Sequence, residues 1–286
     1  MRGWLIYEKE NILRNQKFVD FFMAAAQKRG VELQLITTDQ IAFGVRGGAL
    51  FLLPEKPDFA VVRCMRPDLS RHLEKMGVRV FNNARVSEIC NDKQKTHAFF
   101  IEHGFPCLDT AFVRPDCPLH PFDYPVVVKA SSGCGGRQVY LCQDEKEYLE
   151  KLALIFPDTA VVQPVCDTPG RDVRAYVLGE RLVQAMERYS DGDFRSNFGL
   201  HGLARPTELT EEMRAYVEKA ARLLDVSLVG VDFVFHQGKP YLNEIEDAVG
   251  TRMLYQFTDI EIVEEYMDLI LRVMRSGEKK GSNGIS

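Results

Sequence analysis

Short apolar runs of strand length alternate with stretches of helical spacing over the first part of the chain, the rhythm of an open α/β layer. The runs are Leu5 to Tyr7, Val31 to Ile36, Phe59 to Val62 and Val78 to Phe81. Between the first two, Phe18, Phe21, Phe22 and Ala25 fall on one helical face. Arg71 to Met76 reads as the end of a helix stopped by Gly77. The pattern changes near Asn91. Asn91 or Asp92 can cap a helix carrying Lys93, Phe99 and Phe100, which Gly104 and Pro106 end. A proline-rich connection leads into Val126 to Leu141, which reads as strand, glycine-rich turn and strand. Tyr148, Leu149, Leu152 and Ile155 mark a helix, and the next strand ends at Val165.

Strand signals lengthen in the remainder: Asp172 to Leu178, Arg181 to Arg188, Leu228 to Phe235 and Tyr241 to Ile245. One helix carries Met213, Tyr216, Val217, Ala220 and Leu224, and a last amphipathic helix carries Val263, Tyr266, Met267 and Ile270. The pattern predicts a mixed α/β and α+β chain with regions at 1–90, 91–165 and 166–275. The polar stretch 276–286 is expected as a disordered tail. No internal repeat is visible.

Composition narrows the function classes. A chain of 286 residues has room for two or three subdomains, and 45% hydrophobic with 27% charged residues is ordinary for a soluble globular protein. A net charge of -5 argues against a general nucleic-acid binder. No apolar run is long enough to span a membrane. The opening MRGWLIYEKE reads as a first strand, not a secretory signal. Seven cysteines, an odd number without a CxxC pair, argue against a disulfide framework or structural zinc. They read as reduced thiols of a cytoplasmic protein.

Three sets of residues carry chemistry. The turn Ser131, Ser132, Gly133, Gly135 and Gly136 follows an apolar strand, and such a turn exposes backbone N–H groups that can surround phosphate. Taken alone, it reads equally as a glycine-rich hairpin turn; neither a Walker loop nor a Rossmann turn fits its order. Lys129 closes that strand, where a lysine either snorkels to solvent or faces a ligand, and the adjacent turn favours phosphate. The third set is acidic. Asp232 stands inside an apolar strand, and Glu244 and Glu246 flank Ile245, so both acids share a face. A three-residue loop, Gln237 to Lys239, would set Asp232 opposite Glu244 and Gly230 opposite Glu246. Carboxylates so gathered repel one another unless they bind a cation, and oxygen-only ligands suit Mg²⁺ or Mn²⁺. The alternative, an edge hairpin with its acids in water, suits Glu246 and Asp247 better than Asp232. Arg171, Arg174, Arg195 and Asn197 lie between these sets. Arginines there suit carboxylate or phosphate recognition, with surface ion pairing as the alternative, and Arg174 is favoured over Arg171.

The order Lys93, Lys129 with SSGCGG, GRDVRAYVLG, GDFRSN, then Asp232 and Glu244 resembles the ATP-grasp superfamily, and within it the RimK-like glutamate and amino-acid ligases. The likeness runs from about Asn82 to Gly250. It implies an ATP-grasp fold: a pre-ATP-grasp α/β domain at 1–90, a subdomain with the glycine-rich lid at 91–165, and a subdomain with the metal site at 166–275. It implies an ATP-dependent carboxylate–amine ligase acting through an acyl phosphate, with ATP and Mg²⁺ (or Mn²⁺) as cofactors, and is compatible with a homo-oligomer. Lys93, Lys129 and the lid would contact the nucleotide, joined by Asn197. Gln163, Pro164 and Val165 would form the adenine-reading hinge. Arg174 and Arg195 would be catalytic, steadying the γ-phosphate, the acyl phosphate or the oxyanion. Asp232, Glu244 and Glu246 would bind two metal ions. The chain departs from the family pattern in several places. Glu246 stands where Asn is usual and Pro164 where Glu is usual, with Asp167 a substitute for the hinge acid. FGLHGLAR, with His201 and Gly202, replaces the usual approach to a Gly-Gly pair. Val249-Gly250 stands for Pro-Gly, followed by Arg252 as a candidate for the substrate carboxylate. Rival expectations are a D-alanine–D-alanine-like dipeptide ligase and a nucleotide-binding module without catalysis.

Overall fold

The computed structural model describes residues 1–132, 138–190, 192–196 and 203–281. The chain opens with β1 (Arg2–Tyr7), α1 (Gln16–Lys28) and β2 (Glu32–Thr37), then a hairpin of β3 (Ala42–Arg46) and β4 (Ala49–Leu53). β5 (Phe59–Val62), α2 (Pro67–Lys75), β6 (Arg79–Phe81) and α3 (Ala84–Cys90) follow. Strands β2-β1-β5-β6 form a parallel sheet. Both its faces are covered, which is why β1 and β5 read as continuous apolar runs. Leu5, Tyr7, Phe59 and Val61 pack with α1, and Trp4, Ile6, Ala60 and Val62 with α2. Pro67 opens α2, and Gly77 at φ 82° accommodates the turn that ends it.

α4 (Lys93–Glu102) is capped by Asp92, whose carboxylate accepts from the Gln94 and Lys95 N–H groups. β7 (Ala111–Val113), β8 (Val126–Ala130), β9 (Val139–Cys142), α5 (Glu145–Ala153) and β10 (Ala160–Pro164) complete a second unit, an antiparallel sheet in the order β7-β10-β8-β9. Val126, Val128, Ala130, Ala160 and Val162 pack on Tyr148 and Leu152 of α5. By strand alternation, Val127, Lys129 and Gln163 face the other way.

The third sheet has the order β13-β12-β11-β14-β15 and is antiparallel throughout. Its strands are β11 (Arg171–Leu178), β12 (Arg181–Tyr189), β13 (Leu203–Thr207), β14 (Leu228–His236) and β15 (Lys239–Glu246), with α6 (Glu211–Leu224) between β13 and β14. One face, with Val173, Ala175, Val231, Phe233 and Ile245, packs on α6. The other changes character along the strands. Tyr176, Leu178, Met186 and Leu228 join the core of the first sheet, whereas Asp172, Arg174, Arg188 and Asp232 continue the same face in charge. α7 (Arg252–Phe257) and α8 (Ile262–Gly281) end the described chain. α8 returns to α1, with the rings of Phe22 and Tyr266 5.6 Å apart. It also carries the first residues of the stretch expected as tail.

The β14–β15 hairpin differs from expectation in its route but not in its acids. Its turn is two residues, Gln237 and Gly238, both at positive φ. The register then shifts between Asp232 and Phe233, leaving Asn243 without a partner. This bulge restores the expected pairing of Asp232 with Glu244 and Gly230 with Glu246.

Candidate active site

The inner face of the second sheet and the charged end of the third enclose a cavity. Leu108, Val127, Pro164, Val165, Phe194 and Val234 give it apolar walls, and Lys93, Lys129, Arg171, Arg195, Asn243 and Glu244 bring charge and polarity. An apolar slot with a few converging polar groups is the usual form of a small-ligand site.

Lys129 projects from β8 into this space. Its ammonium donates to Gln163 Oε1 at 2.8 Å and to Asn243 Oδ1 at 2.9 Å. Asn243 reaches it because the bulge re-aims that side chain. Burial lowers the Lys129 pKa to about 8 from an ordinary 10.5; Glu244 nearby opposes the fall and Lys93 adds to it. Arg195 lines the cavity on the segment after β12, held by Asp193 at 2.6 Å. The Glu244 carboxylate lines the cavity and, among the described residues, makes no side-chain hydrogen bond or ion pair.

From Ser196 and Asp172, which line the cavity, a chain of alternating charge runs beneath it across the third sheet. Ser196 Oγ donates to Asp172 at 2.5 Å. Arg188 grips Asp172 through two bonds of 2.6 Å and reaches Asp232 at 2.7 Å. Arg174 grips Asp232 through two bonds of 2.7 Å and pairs with Glu246. Asp232 has no exposed surface. Burial raises its pKa, but the two guanidiniums outweigh burial and hold it at about 2. Burial dominates at Glu246 and pushes its pKa up. Gly230 leaves room for the guanidinium, since a Cβ there would stand 3.2 Å from Arg174 Nε and 2.8 Å from Val249 Cγ2.

The residues singled out in the sequence thus divide. Lys93, Lys129, Gln163, Pro164, Val165, Arg195 and Glu244 line the cavity. Arg174, Asp232 and Glu246 lie below it in the ion-pair chain, so the three acids share a face, as expected, but a guanidinium stands among them. Arg171, ranked below Arg174, is the one that lines the cavity. Ser131 and Ser132 do not line it. Ser131 donates to Asp92 at 2.7 Å, pinning the start of α4, and Ser132 binds Asp158. Asp167 accepts from the Gln237 N–H at 2.7 Å and is not in the lining, although its neighbours Cys166 and Thr168 are. Arg252 is exposed at the start of α7. Gly133, Gly135, Gly136, Asn197, His201 and Gly202 lie outside the described residues. Sequence reasoning missed Arg188 and Asn243. Arg188 was masked by an ordinary strand end, and Asn243 becomes visible only once the bulge is known.

Comparison with known proteins decides the family. The model of the RimK-like ATP-grasp domain matches residues 91–270. The chain belongs to the RimK-like ATP-grasp family. It is 28% identical to human N-acetylaspartylglutamate synthase A over 91% of this chain and 73% of that protein. This RimK-like ligase also superposes on a RimK domain ATP-grasp protein from Sphaerobacter thermophilus with a TM-score of 0.74 at 18% identity, covering 95% of this chain and all of the other. The Bacillus anthracis D-alanine–D-alanine ligase complexed with ATP gives a TM-score of 0.70 at 17% identity, covering 98% and 99% of the two chains. The fold is that of ATP-grasp enzymes, and the chain is an ATP-dependent carboxylate–amine ligase. No helix among its described residues is long and apolar enough to cross a membrane.

Proposed function

We propose that this RimK-like ligase phosphorylates the carboxylate of a small acid with ATP and passes the acyl group to the amine of an amino acid, glutamate being the first to test. The convergence of Lys93, Lys129, Arg171 and Arg195 on one apolar-walled cavity carries this reading. The walls suit a base, and the cations suit its phosphates and an anionic acid. The human relative's name specifies an aspartyl acid and glutamate, a pair that such a lining fits.

In this reading Lys93 and Lys129 hold the phosphates, and Arg195 faces the acyl carbon, where a tetrahedral oxyanion develops when the amine attacks. The divalent ion the family implies is Mg²⁺. Glu244, facing the cavity, is the residue that would hold it; Glu246, the next acid on the same face, would join it only through the oxygen that Arg174 leaves open. Asp232 does not fit as a ligand while two arginines occupy both its oxygens, and among the described residues no three such side chains stand ready for a metal. Bound there, the ion would neutralise charge on the phosphates as it moves to the leaving group. Arg174 and Arg188 act from below by fixing the strands that carry Glu244 and the loop that carries Arg195.

The test is a panel of acids and amines, glutamate and D-alanine included, incubated with ATP and Mg²⁺ and followed by ADP release and product mass. Amide product with glutamate is expected. Product from a D-alanine pair alone would transfer the chain to the dipeptide-ligase reading. ATP binding without ADP from any pair would leave only a nucleotide-binding module.

A further inference from the structure

Buried cations in proteins are usually matched by carboxylates, yet both Lys129 partners are carboxamides, and a carboxamide can present either its oxygen or its NH₂. Something must hold the oxygen of Gln163 toward the ammonium. The Gln163 side chain is buried, and its Nε2 donates to Thr110 Oγ1 at 2.9 Å and stands 3.4 Å from His97 Nε2. The two N–H bonds of the amide are therefore both assigned, one to a hydroxyl and one to an imidazole nitrogen. His97 accepts only while neutral, with its proton on Nδ1. Burial, with Lys129 and Lys93 close by, lowers its pKa to about 3 and keeps the ring neutral; accepting from Gln163 then places the proton on Nδ1, which is buried with no hydrogen-bond partner among the described residues. The ring is set edge-on against Phe100, with centroids 5.7 Å apart. A flipped Gln163 would direct NH₂ at the ammonium and its oxygen at the imidazole lone pair, so two attractive contacts would become two repulsive ones.

We propose that His97 and Thr110 are positioning residues for Lys129: they lock the Gln163 carbonyl onto the ammonium, and bulged Asn243 supplies the second neutral oxygen, so the ammonium meets a nucleotide phosphate with no carboxylate bonded to it. The inference rests on the ATP reading of the cavity and goes beyond it, because neither His97 nor Thr110 is in its lining. A carboxylate in either partner's place would orient the ammonium equally well but would neutralise it.

The experiment measures metal-free ATP affinity by calorimetry, and KM for ATP against kcat, in His97→Phe, His97→Gln, Gln163→Glu and Lys129→Met, with thermal melting alongside. His97→Phe should weaken ATP binding about tenfold, the scale of one hydrogen bond to a charged group, and raise KM more than it lowers kcat. His97→Gln places an acceptor near the lost Nε2 and should recover affinity to within about twofold of the parent. Gln163→Glu should weaken binding although the ammonium stays held. A folded His97→Phe protein with parental affinity, alongside a defective Lys129→Met, would overturn the lock and leave the ATP reading intact. Equal loss in His97→Phe and His97→Gln, tracking a lowered melting temperature, would also overturn it, since the role would then be structural. Parental affinity in Lys129→Met would instead remove the ATP reading itself.

Discussion

The wall and the floor of the cavity solve the burial of a cation in opposite ways. On the wall, Lys129 is met by two neutral oxygens, from Gln163 and Asn243. On the floor, Arg174 and Arg188 are met by carboxylates, from Asp172, Asp232 and Glu246. Neutral partners orient a charge without cancelling it, at the expense of a lowered pKa. Anionic partners cancel it, and the guanidiniums become girders that tie β11, β12, β14 and β15 together. The wall therefore keeps a charge available to a ligand, and the floor keeps geometry. On the floor's face four carboxylates (Asp172, Asp232, Glu244, Glu246) stand against two guanidiniums, and two of the four, Asp172 and Glu244, also line the cavity.

The sharpest way to break this contrast is Asp232→Ala. It leaves two buried arginines short of a shared counter-ion, so unfolding free energy should fall by about 3–5 kcal/mol, read from the urea midpoint. A parental midpoint would mean that the floor pairs are not structural. The pH dependence has a defined sign. Asp232 is held at about 2 against an ordinary 3.8, so its contribution is complete above the higher value and is lost as pH falls toward the lower. Next in size is Lys129→Met. Nucleotide binding should weaken by about 2–3 kcal/mol, while the melting temperature holds or rises, because a buried charge has been removed. A fall in melting temperature comparable to that of Asp232→Ala would erase the distinction between wall and floor.

How far the sequence foretold this depends on the length and amphipathy of each element. The long strands β11, β12, β14 and β15 and the helices α1, α6 and α8 have one apolar face or a continuous apolar run, and all were legible. The hairpin β3–β4, the short β7, α3, β13 and α7 were not. Their segments are brief or largely solvent-facing, as in Ala42–Arg46, so no period stands out. At the site, Lys129 and Asp232 declared themselves as charges inside apolar strands. What they do there was not legible. The same anomaly, a buried charge, ends as an open cation in one case and a closed ion pair in the other. The choice is made by residues distant in sequence: Gln163 and Asn243 for Lys129, Arg174 and Arg188 for Asp232. The hairpin pairing of the acids was foreseen with a loop one residue too long, and the bulge that makes up the difference is what brings Asn243 to Lys129.

A titration sharpens the contrast further. Since Lys129 titrates at about 8, nucleotide affinity should decline as pH rises above that value, by up to about tenfold per unit, a slope absent from Lys129→Met. Stability should move the other way. The unfolded chain holds this proton up to the ordinary 10.5, so between the two values the group's contribution to stability increases with pH. No such crossing is expected from the floor arginines, which their carboxylates hold charged, with pKa values above the ordinary 12.5 despite burial.

The smallest effect belongs to a third arrangement, beside the edge strand β13 of the same sheet. Glu187 is buried but bound by Arg171 at 2.5 Å and by Arg205 at 2.6 Å, both of which are more than half exposed. Here the carboxylate is the buried partner and both cations reach solvent, Arg171 where it lines the cavity, so solvent screens the attraction and either arginine can stand in for the other. Arg205→Ala should therefore cost no more than about 1 kcal/mol of stability, and less as salt is raised. The chemical groups match those on the floor, so the comparison isolates burial. If Arg205→Ala proved as damaging as Asp232→Ala, the strength of the floor pairs could not be ascribed to their exclusion from water. The division between an oriented charge and a cancelled one would then need another physical basis.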